Sequence, residues 1–274
     1  MDPHGPSVAG WRIERSDGLA WIHCNALSTA AGVSHAFSTR VGPGDEGFDL
    51  GAHDDLDAPF DARRRLLCRA AGLAGQRPLM LYQVHGNRIA TGTEAAEGEP
   101  LAADGVVLSR GEAPGLAVAV RTADCVPILL ADSEGGVVAA IHAGWRGTAE
   151  GIAARAVEML EARGIAAEGL IAAIGPAIGP CCYEVGNEVA EAVARAGGVS
   201  LGALFHQDRA SGTLDLPGAN RLQLCGAGLR EAAIHIAPWC TACRADLFYS
   251  YRRSGGPTGR LMACIGWTAD APAP

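Results

Sequence analysis

Residues 121–147 read as a β-hairpin, and this segment restricts the fold more than any other part of the chain. Two short apolar runs, Val126–Ala131 and Val137–Ile141, flank a polar, glycine-rich turn, which is typical of two antiparallel strands. If the strands pair about the middle of that turn, Cys125 and His142 lie side by side at the open end of the hairpin. The register therefore predicts that these two side chains bind one metal ion or form a nucleophile–base pair.

The composition excludes several classes of chemistry and partner. The chain has 274 residues, a formal net charge of −8 and a sequence pI near 5.5, which argues against nucleic acid or an anionic membrane as the main partner. All 22 basic residues are arginine. Because lysine is absent, a Schiff-base lysine and a phosphate-loop lysine are ruled out, and anion binding falls to arginine.

The sequence favours a cytoplasmic protein. Its apolar runs end well before the roughly 18 residues that a membrane span requires, and its first residues lack the pattern of a secretory signal. Nine cysteines in such a chain indicate reduced thiols rather than a disulfide framework. The oligomeric state is not indicated by the sequence.

Apolar periodicity predicts strands and helices that do not alternate strictly. The strands are expected at Leu79–Val84, Val106–Leu108, Leu116–Val120, Val126–Ala131, Val137–Ile141, Leu170–Ile174 and Leu261–Trp267. The helices are expected at Asp61–Ala71, Thr148–Arg163, Asn187–Arg195 and Pro217–Ala232. Thr148 and Asp215 are the expected N-caps. Because no linker or repeat divides the chain, we expect a single α/β domain over residues 1–274, with a mixed β-sheet and helices packed on its faces.

Three reactive side chains stand at the ends of predicted strands. His85 follows a strand, Cys125 opens the hairpin and His142 closes it. Two imidazoles and one thiolate suit zinc and leave a fourth coordination position for water or substrate. Ligands drawn from separate strands are more typical of a catalytic zinc than of a structural one. The residue types alone leave both a metal site and a metal-free Cys–His pair open.

A series of longer motifs runs along nearly the whole chain. They are FSTR (37–40), LGAHDD (50–55), QVHG (83–86), ADGVV (103–107), TADCVPILLAD (122–132), HAGWRGT (142–148), IGPAIGPCCYEVG (174–186), CT (240–241), FYSYRR (248–253) and TGR (258–260). In this order they resemble the multicopper polyphenol oxidase (laccase-domain) family, also called the YlmD-like purine nucleoside phosphorylase or peptidoglycan editing factor family. The motif core covers about residues 37–267.

The resemblance implies a catalytic Zn²⁺ held by His85, Cys125 and His142. It implies a transferase activity, the phosphorolysis of adenosine, inosine or methylthioadenosine to the base and ribose 1-phosphate. A hydrolase activity, the deamination of adenosine, is a candidate second activity. The older family name implies a copper-dependent oxidoreductase that acts on polyphenols.

Three further functions stay open beside the phosphorylase. A full multicopper set needs many histidines, commonly as HxH pairs, whereas this chain has eight histidines and no such pair. A single Cu²⁺ in the His–Cys–His site is the remaining copper hypothesis. A cysteine hydrolase would use Cys125 as nucleophile and His142 as base without a metal. A non-enzymatic cell-wall precursor fidelity factor would need neither a metal nor a nucleophile–base pair.

Phosphorolysis requires a phosphate site, and Arg40 and Arg146 are the best candidates for it. Arg146 precedes the helix predicted from Thr148, where free backbone N–H groups favour an anion. Arg252 or Arg253 is a candidate third contact. The alternative interpretation of all these arginines is that they form ordinary structural ion pairs.

Other conspicuous residues have structural explanations. Asp124 adjoins Cys125, but strand alternation directs it to the opposite face, so we expect it to hydrogen-bond a neighbouring group. The Cys240–Cys243 pair is a CxxC that stands alone in the sequence, and Cys181–Cys182 follows a Gly-Pro turn. The first pair is expected to be structural thiols, and adjacent cysteines such as the second pair rarely share a zinc or a disulfide. Trp145 is expected either to stack on a substrate base or to pack in the core.

Overall fold

The computed structural model describes residues 8, 10–44, 46–51, 58–73, 75–96, 101–208 and 211–268, so that 52–55 of the LGAHDD motif lie outside it. The strands are β1 (Trp11–Ser16), β2 (Leu19–Cys24), β3 (Val33–Ser38), β4 (Arg77–Leu79), β5 (Ile89–Thr91), β6 (Gly105–Ser109), β7 (Leu116–Thr122), β8 (Val126–Asp132), β9 (Val137–Ala143), β10 (Leu170–Ile174), β11 (Glu184–Gly186), β12 (Phe205–Asp208), β13 (Ser211–Leu214), β14 (Ile234–Ile236) and β15 (Leu261–Trp267). The helices are α1 (Ala58–Ala70), α2 (Gly92–Ala96), α3 (Trp145–Ala149), α4 (Ile152–Glu161), α5 (Asn187–Ala196), α6 (Leu216–Gly226) and α7 (Tyr251–Ser254).

Two six-stranded sheets form the centre of the molecule. The first has the strand order β1-β2-β3-β15-β7-β4, and the second has the order β14-β10-β8-β9-β6-β5. Both are mostly antiparallel, with parallel pairs at β4–β7, β10–β14 and β5–β6. A third sheet joins β11, β13 and β12. The expected α/β class with mixed sheet is therefore confirmed, and the mixed sheet occurs twice.

The two large sheets pack face to face. The burial of β8 on both of its faces explains why Val126–Ala131 are all apolar. All seven of its residues are buried. Leu129 and Ala131 face the core between the sheets, whereas Ile128 and Leu130 pack toward α4 and α6. A strand covered on both faces has no solvent side, so its apolar residues run on without alternation. The outer face of the first sheet is covered by α1.

The hairpin prediction is confirmed, with a register shifted by two residues from the one that would pair Cys125 with His142. In the β8–β9 ladder Ile128 faces Ile141 and Pro127 faces His142. Cys125 lies immediately before the first paired residue, Val126. It is therefore at the entrance of the hairpin, as expected, but it is not the ladder partner of His142.

The predicted helix from Thr148 to Arg163 is wrong in its start and its continuity. The chain forms α3 and α4 with a break at Gly151, whose φ of 77° lies in the left-handed region. Thr148 is inside α3 and fully buried, and its hydroxyl accepts a hydrogen bond from the Asn220 amide at 3.0 Å. It is not an N-cap, whereas Asp215 caps α6 as expected by accepting from the Gly218 N–H at 2.9 Å.

The motifs of interest lie where the chain passes from one large sheet to the other. QVHG connects β4 of the first sheet with β5 of the second. TADC connects β7 with β8 in the same direction, and HAGWRG leads from the end of β9 into α3. These connections bring residues that are distant in sequence to one end of the two sheets. Among the described residues, no helix has the length and apolar character to cross a membrane.

Candidate functional site

A cavity of about 560 Å³ opens at this end of the sheets. Its walls come from the three connections and from two loops, one after β10 and one before β15. The connections supply Gln83, His85, Cys125, His142 and Arg146. The loops supply Ile178, Tyr183, Tyr251, Arg252 and Arg260.

His85, Cys125 and His142 meet in this cavity. One donor atom of each side chain lies within 4.8 Å of a donor atom of the other two. The two imidazole rings are 4.8 Å apart between centroids and nearly perpendicular. Gly144 makes room for them, because a Cβ there would lie 3.2 Å from the His85 ring and 3.3 Å from the Cys125 sulfur. The structure thus brings together the three residues that the sequence proposed as a set, and their role as ligands stays a prediction.

Backbone geometry places two of the three side chains. His85 has a φ of 62°, which is uncommon for a residue other than glycine. Asp124, just before Cys125, has a φ of 99°. Gln83 fixes the connection before His85, because its side-chain amide donates to the Arg121 carbonyl and accepts from the Arg121 N–H at 2.8 and 2.9 Å. Backbone strain at such positions is held by the surrounding structure and is common at functional sites.

Asp104 is the functional residue that the sequence reasoning missed. Its carboxylate is fully buried and accepts hydrogen bonds from the backbone N–H groups of Val84, His85 and Gly86 at 3.2, 2.9 and 2.7 Å. It also bonds Nδ1 of His142 at 2.8 Å. It therefore orients both histidines at once and leaves Nε2 of His142 for another partner. Carboxylates that hold metal-binding histidines in this way are a regular feature of metal sites.

The charges of the group favour a thiolate beside an imidazolium. Burial by itself would raise the pKa of Cys125, but the charge of His142 and hydrogen bonds from both imidazoles lower it to about 6. Burial would likewise lower the pKa of His142, but the Cys125 thiolate and the Asp104 carboxylate raise it to about 9. A thiol that ionises readily suits both metal binding, which requires the thiolate, and nucleophilic attack.

Asp124 anchors a cavity wall. Its carboxylate accepts hydrogen bonds from the Thr241 hydroxyl at 2.5 Å, the Ser250 hydroxyl at 3.0 Å and the Arg252 N–H at 2.7 Å. This matches the expected hydrogen-bonding role rather than proton transfer, because these donors occupy both carboxylate oxygens. The expected orientation is wrong: Asp124 lines the same cavity as Cys125, because its φ of 99° breaks the strand alternation. The residue that follows it, Cys125, is thereby tied to the loop that carries Arg252.

The arginines divide into those that line the cavity and those that do not. Arg146 is exposed, lines the cavity and stacks on the Trp145 ring with 4.3 Å between guanidinium carbon and ring centre. Arg252 also lines it, 5.2 Å from the Tyr183 ring centre. Arg40 is not among the described residues that line this cavity. Its guanidinium lies over the Tyr249 ring and donates to the Ala245 carbonyl at 3.2 Å.

Two further arginines have structural contacts. Arg253, a candidate third phosphate contact, donates to the carbonyls of Thr241, Ala242 and Phe248 and holds its own loop together. Arg121 also borders the cavity, but it is buried and donates to the Leu81 carbonyl at 2.9 Å, which is a structural contact. Because α3 begins at Trp145, Arg146 lies within its first turn rather than ahead of it.

Comparison with known proteins gives the family. The sequence profile of the family described as multi-copper polyphenol oxidoreductase laccase matches residues 30–268. The purine nucleoside phosphorylase YlmD of Geobacillus stearothermophilus is 37% identical over 276 residues, covering 93% of this chain and 99% of its own length. A purine nucleoside phosphorylase of Deinococcus radiodurans is 40% identical over 238 residues, with coverage of 85% and 89%. The adenosine deaminase RL5 of an unknown prokaryotic organism is 36% identical over 219 residues, with coverage of 77% and 83%.

The fold agrees with these sequence matches. The crystal structure of YlmD from Geobacillus stearothermophilus superposes with a TM-score of 0.78 and 33% identity over 93% of this chain and 97% of that one. Because relatives at this similarity are named as enzymes, the expectation that the chain is an enzyme is confirmed. The resemblance drawn from the motifs is confirmed as well: the chain belongs to the multi-copper polyphenol oxidoreductase laccase family.

Proposed function

We propose that this chain is a Zn²⁺-dependent purine nucleoside phosphorylase acting on adenosine, inosine or methylthioadenosine. The observation that carries the proposal is the meeting of His85, Cys125 and His142 in a cavity that also presents exposed arginine and aromatic side chains. Relatives named purine nucleoside phosphorylase support the reaction class. The cavity volume of about 560 Å³ lies within the range of small-molecule sites.

The donor set fits zinc. Two imidazoles and a thiolate are a regular combination for a catalytic zinc with one open position. His142 is supported from behind by the buried Asp104, which also holds the backbone at His85. His85 is partly exposed toward the cavity, so the group has an accessible side. When bound, zinc would supply a Lewis acid that polarises a substrate atom there.

Among the described residues, copper chemistry has less support. In the part of the chain that the structure describes, two groups of three or more His, Cys, Asp or Glu come close enough to hold an ion, and only the cavity group contains histidine. The three-copper cluster of a multicopper oxidase would need several further imidazoles. For this site we therefore favour Zn²⁺ and phosphorolysis over Cu²⁺ and phenol oxidation.

The remaining walls suit the two substrates. Arg146 and Arg252 present guanidinium groups to the cavity, and guanidinium forks bind phosphate oxygens through paired hydrogen bonds. Tyr183 and Tyr251 offer aromatic surface against which a purine can stack. In the proposed reaction a phosphate oxygen bonds to C1′ of the ribose as the C1′–N9 bond breaks. The electron pair leaves with the purine, which takes up a proton, and the arginines offset the charge of the attacking phosphate.

Deamination of adenosine is the second candidate, supported by the relative named adenosine deaminase RL5. It would use the same cavity with water in place of phosphate. It also needs a carboxylate to transfer protons. Asp124 is the one carboxylate among the described lining residues, and its oxygens already accept three hydrogen bonds. This places deamination second to phosphorolysis.

Product analysis separates these activities. Purified protein of measured metal content is incubated with adenosine or inosine, with and without phosphate. Phosphorolysis gives adenine or hypoxanthine and ribose 1-phosphate, and only when phosphate is present. Conversion of adenosine to inosine without phosphate would assign deamination instead, and no turnover of either nucleoside would contradict the proposal.

The same preparation distinguishes a cysteine hydrolase, a copper oxidoreductase and a non-enzymatic factor from the phosphorylase. A cysteine hydrolase keeps its activity after chelation and loses it on alkylation of Cys125. A copper oxidoreductase is coloured and oxidises phenols. A non-enzymatic cell-wall precursor fidelity factor predicts that a Cys125→Ala protein still functions in cells.

A further inference from the structure

Four cysteines outside the cavity come together from two loops. Cys181 and Cys182 lie in the turn between β10 and β11, and Cys240 and Cys243 follow β14. Their sulfur atoms all lie within 4.8 Å of one another. The CxxC that stands alone in the sequence is thus completed in space by a second pair about 60 residues away.

The distances indicate what this group can hold. The Sγ of Cys243 is 3.5 Å from that of Cys181 and 3.4 Å from that of Cys182. A disulfide requires about 2.05 Å, so these sulfurs are not bonded to each other. Zn–S bonds of about 2.3 Å place the sulfurs of a tetrahedral site about 3.8 Å apart. The four sulfurs therefore already surround a space of the size that one such ion fills.

The backbone around the group supports thiolate ligands. The Gly179 N–H donates to the Cys240 Sγ at 3.2 Å, and N–H donors of this kind stabilise a metal-bound thiolate. Position 179 is close to the sulfurs, since a Cβ there would lie 3.4 Å from the Cys181 Sγ and 3.3 Å from the Cys240 Cβ. The Thr241 N–H donates to the Ala177 carbonyl at 2.9 Å, which holds the two loops in register.

We propose that Cys181, Cys182, Cys240 and Cys243 form a second, structural Zn²⁺ site. Four thiolates complete a tetrahedral shell and leave no position for substrate, which is the pattern of structural zinc. The loops that the ion would join also build the cavity wall: one carries Ile178 and Tyr183, and the other carries Tyr251 and Arg252. The site would hold these walls together without taking part in bond making.

A variant without the cavity ligands provides the decisive test. In the His85→Ala/Cys125→Ala/His142→Ala protein, we expect about one tightly held zinc per chain after dialysis. X-ray absorption at the zinc edge should show four sulfur neighbours at about 2.3 Å. Loss of all zinc from this variant, or a shell containing nitrogen or oxygen, would overturn the proposal. This outcome is independent of whether the cavity site binds metal or turns over nucleosides.

A second pair of variants tests which cysteines bind the ion. Cys240→Ser/Cys243→Ser should hold about one zinc per chain less than the parent protein. Cys225→Ser should hold the same amount as the parent, because Cys225 is a half-buried cysteine on α6 outside both groups. Thiols are also counted in denatured parent protein with chelator present. Two fewer than the nine in the sequence would reveal a disulfide in place of the metal site and contradict the proposal.

Discussion

The cavity group and the four-cysteine group use sulfur in different surroundings. Cys125 is paired with two imidazoles, and the fully buried Asp104 stands behind one of them. Among the described residues, the four cysteines contact one another and a backbone N–H group, and Cys181 and Cys243 are exposed. The first group opens on a cavity of about 560 Å³, whereas the second lies between two surface turns.

We interpret this contrast as the difference between the proposed reactive site and the proposed structural site. A reactive site needs an open position and fixed ligand orientation, which the connections between the two sheets and Asp104 provide. A structural site needs a complete set of ligands and no open position. Substitutions in the first group should therefore affect activity most, and substitutions in the second should affect stability most.

The largest effect is expected for His85→Ala. Loss of a ligand removes metal binding, and a metal that contributes several kcal/mol to the transition state accounts for about a 10³-fold change in rate. Metal content and kcat/KM should fall together. His235→Ala on β14 is the matched control, since His235 lies in neither donor group. A His85→Ala protein that keeps its full metal content would refute the ligand assignment.

A smaller effect is expected for Asp104→Asn. The amide keeps the shape but replaces one acceptor with a donor that faces backbone N–H groups, so His142 and the His85 connection lose their orientation. Loss of such a supporting group costs about 10–100-fold in metal affinity or activity. Competition with a chromophoric chelator measures the affinity.

Asp132→Asn is the control for that substitution. Asp132 is also buried and accepts a backbone hydrogen bond, from Val137, but at the turn end of the same hairpin. The Asp132→Asn substitution should lower the free energy of unfolding and leave the metal affinity unchanged. Equal loss of metal affinity in both variants would mean that Asp104 acts only through general stability.

Arg146→Ala should change the phosphate requirement while metal stays bound. A charged hydrogen bond contributes about 1.5–3 kcal/mol, so the KM for phosphate should rise at least about tenfold. Arg40→Ala tests the other arginine that the sequence proposed. Arg40 packs on Tyr249 and is not among the described residues that line the cavity. The KM for phosphate should therefore change little in the Arg40→Ala variant. The reverse order of effects would relocate the phosphate site to Arg40.

The smallest effect on catalysis is expected for Cys240→Ser/Cys243→Ser. Both the Asp124 hydrogen bonds and the stacking of Arg252 on Tyr183 still hold the cavity walls in this variant. We expect kcat/KM within about threefold of the parent and a lower Tm, at about 2–4 °C for each kcal/mol of stability lost. A 100-fold loss of kcat/KM with unchanged Tm would assign these cysteines to the chemistry.

The sequence predicted some buried strands to the residue and missed others. β10 and β15 match their predictions at both ends, because each is an apolar run bounded by turn residues. The strands β1 to β3 were not predicted: β1, WRIERS, is half exposed and reads as polar. β2 and β3 are mostly buried, but polar residues interrupt their apolar runs. The break at Gly151 was also missed, since an isolated glycine in a helical pattern does not reveal its backbone conformation.

At the candidate site, the sequence indicated which side chains come together but not what supports them. His85, Cys125 and His142 stood at the ends of predicted strands in recognisable motifs, although the strand expected at Leu79–Val84 is wrong because β4 ends at Leu79. Asp104 lies in the ADGVV motif, but an aspartate beside a glycine reads as a turn residue. Its role follows from contacts with residues about 20 and 38 positions away, which depend on the pairing of β6 with β9. The four-cysteine group depends in the same way on contacts between distant loops.

An anomalous difference map at the zinc absorption edge, from crystals of the parent protein, shows whether the three cavity side chains hold zinc. We expect a peak in the cavity at bonding distance, about 2.0–2.3 Å, from one nitrogen each of His85 and His142 and from the Cys125 sulfur. A map without a peak among these three side chains, from protein that phosphorolyses inosine, would contradict the proposed zinc ligands.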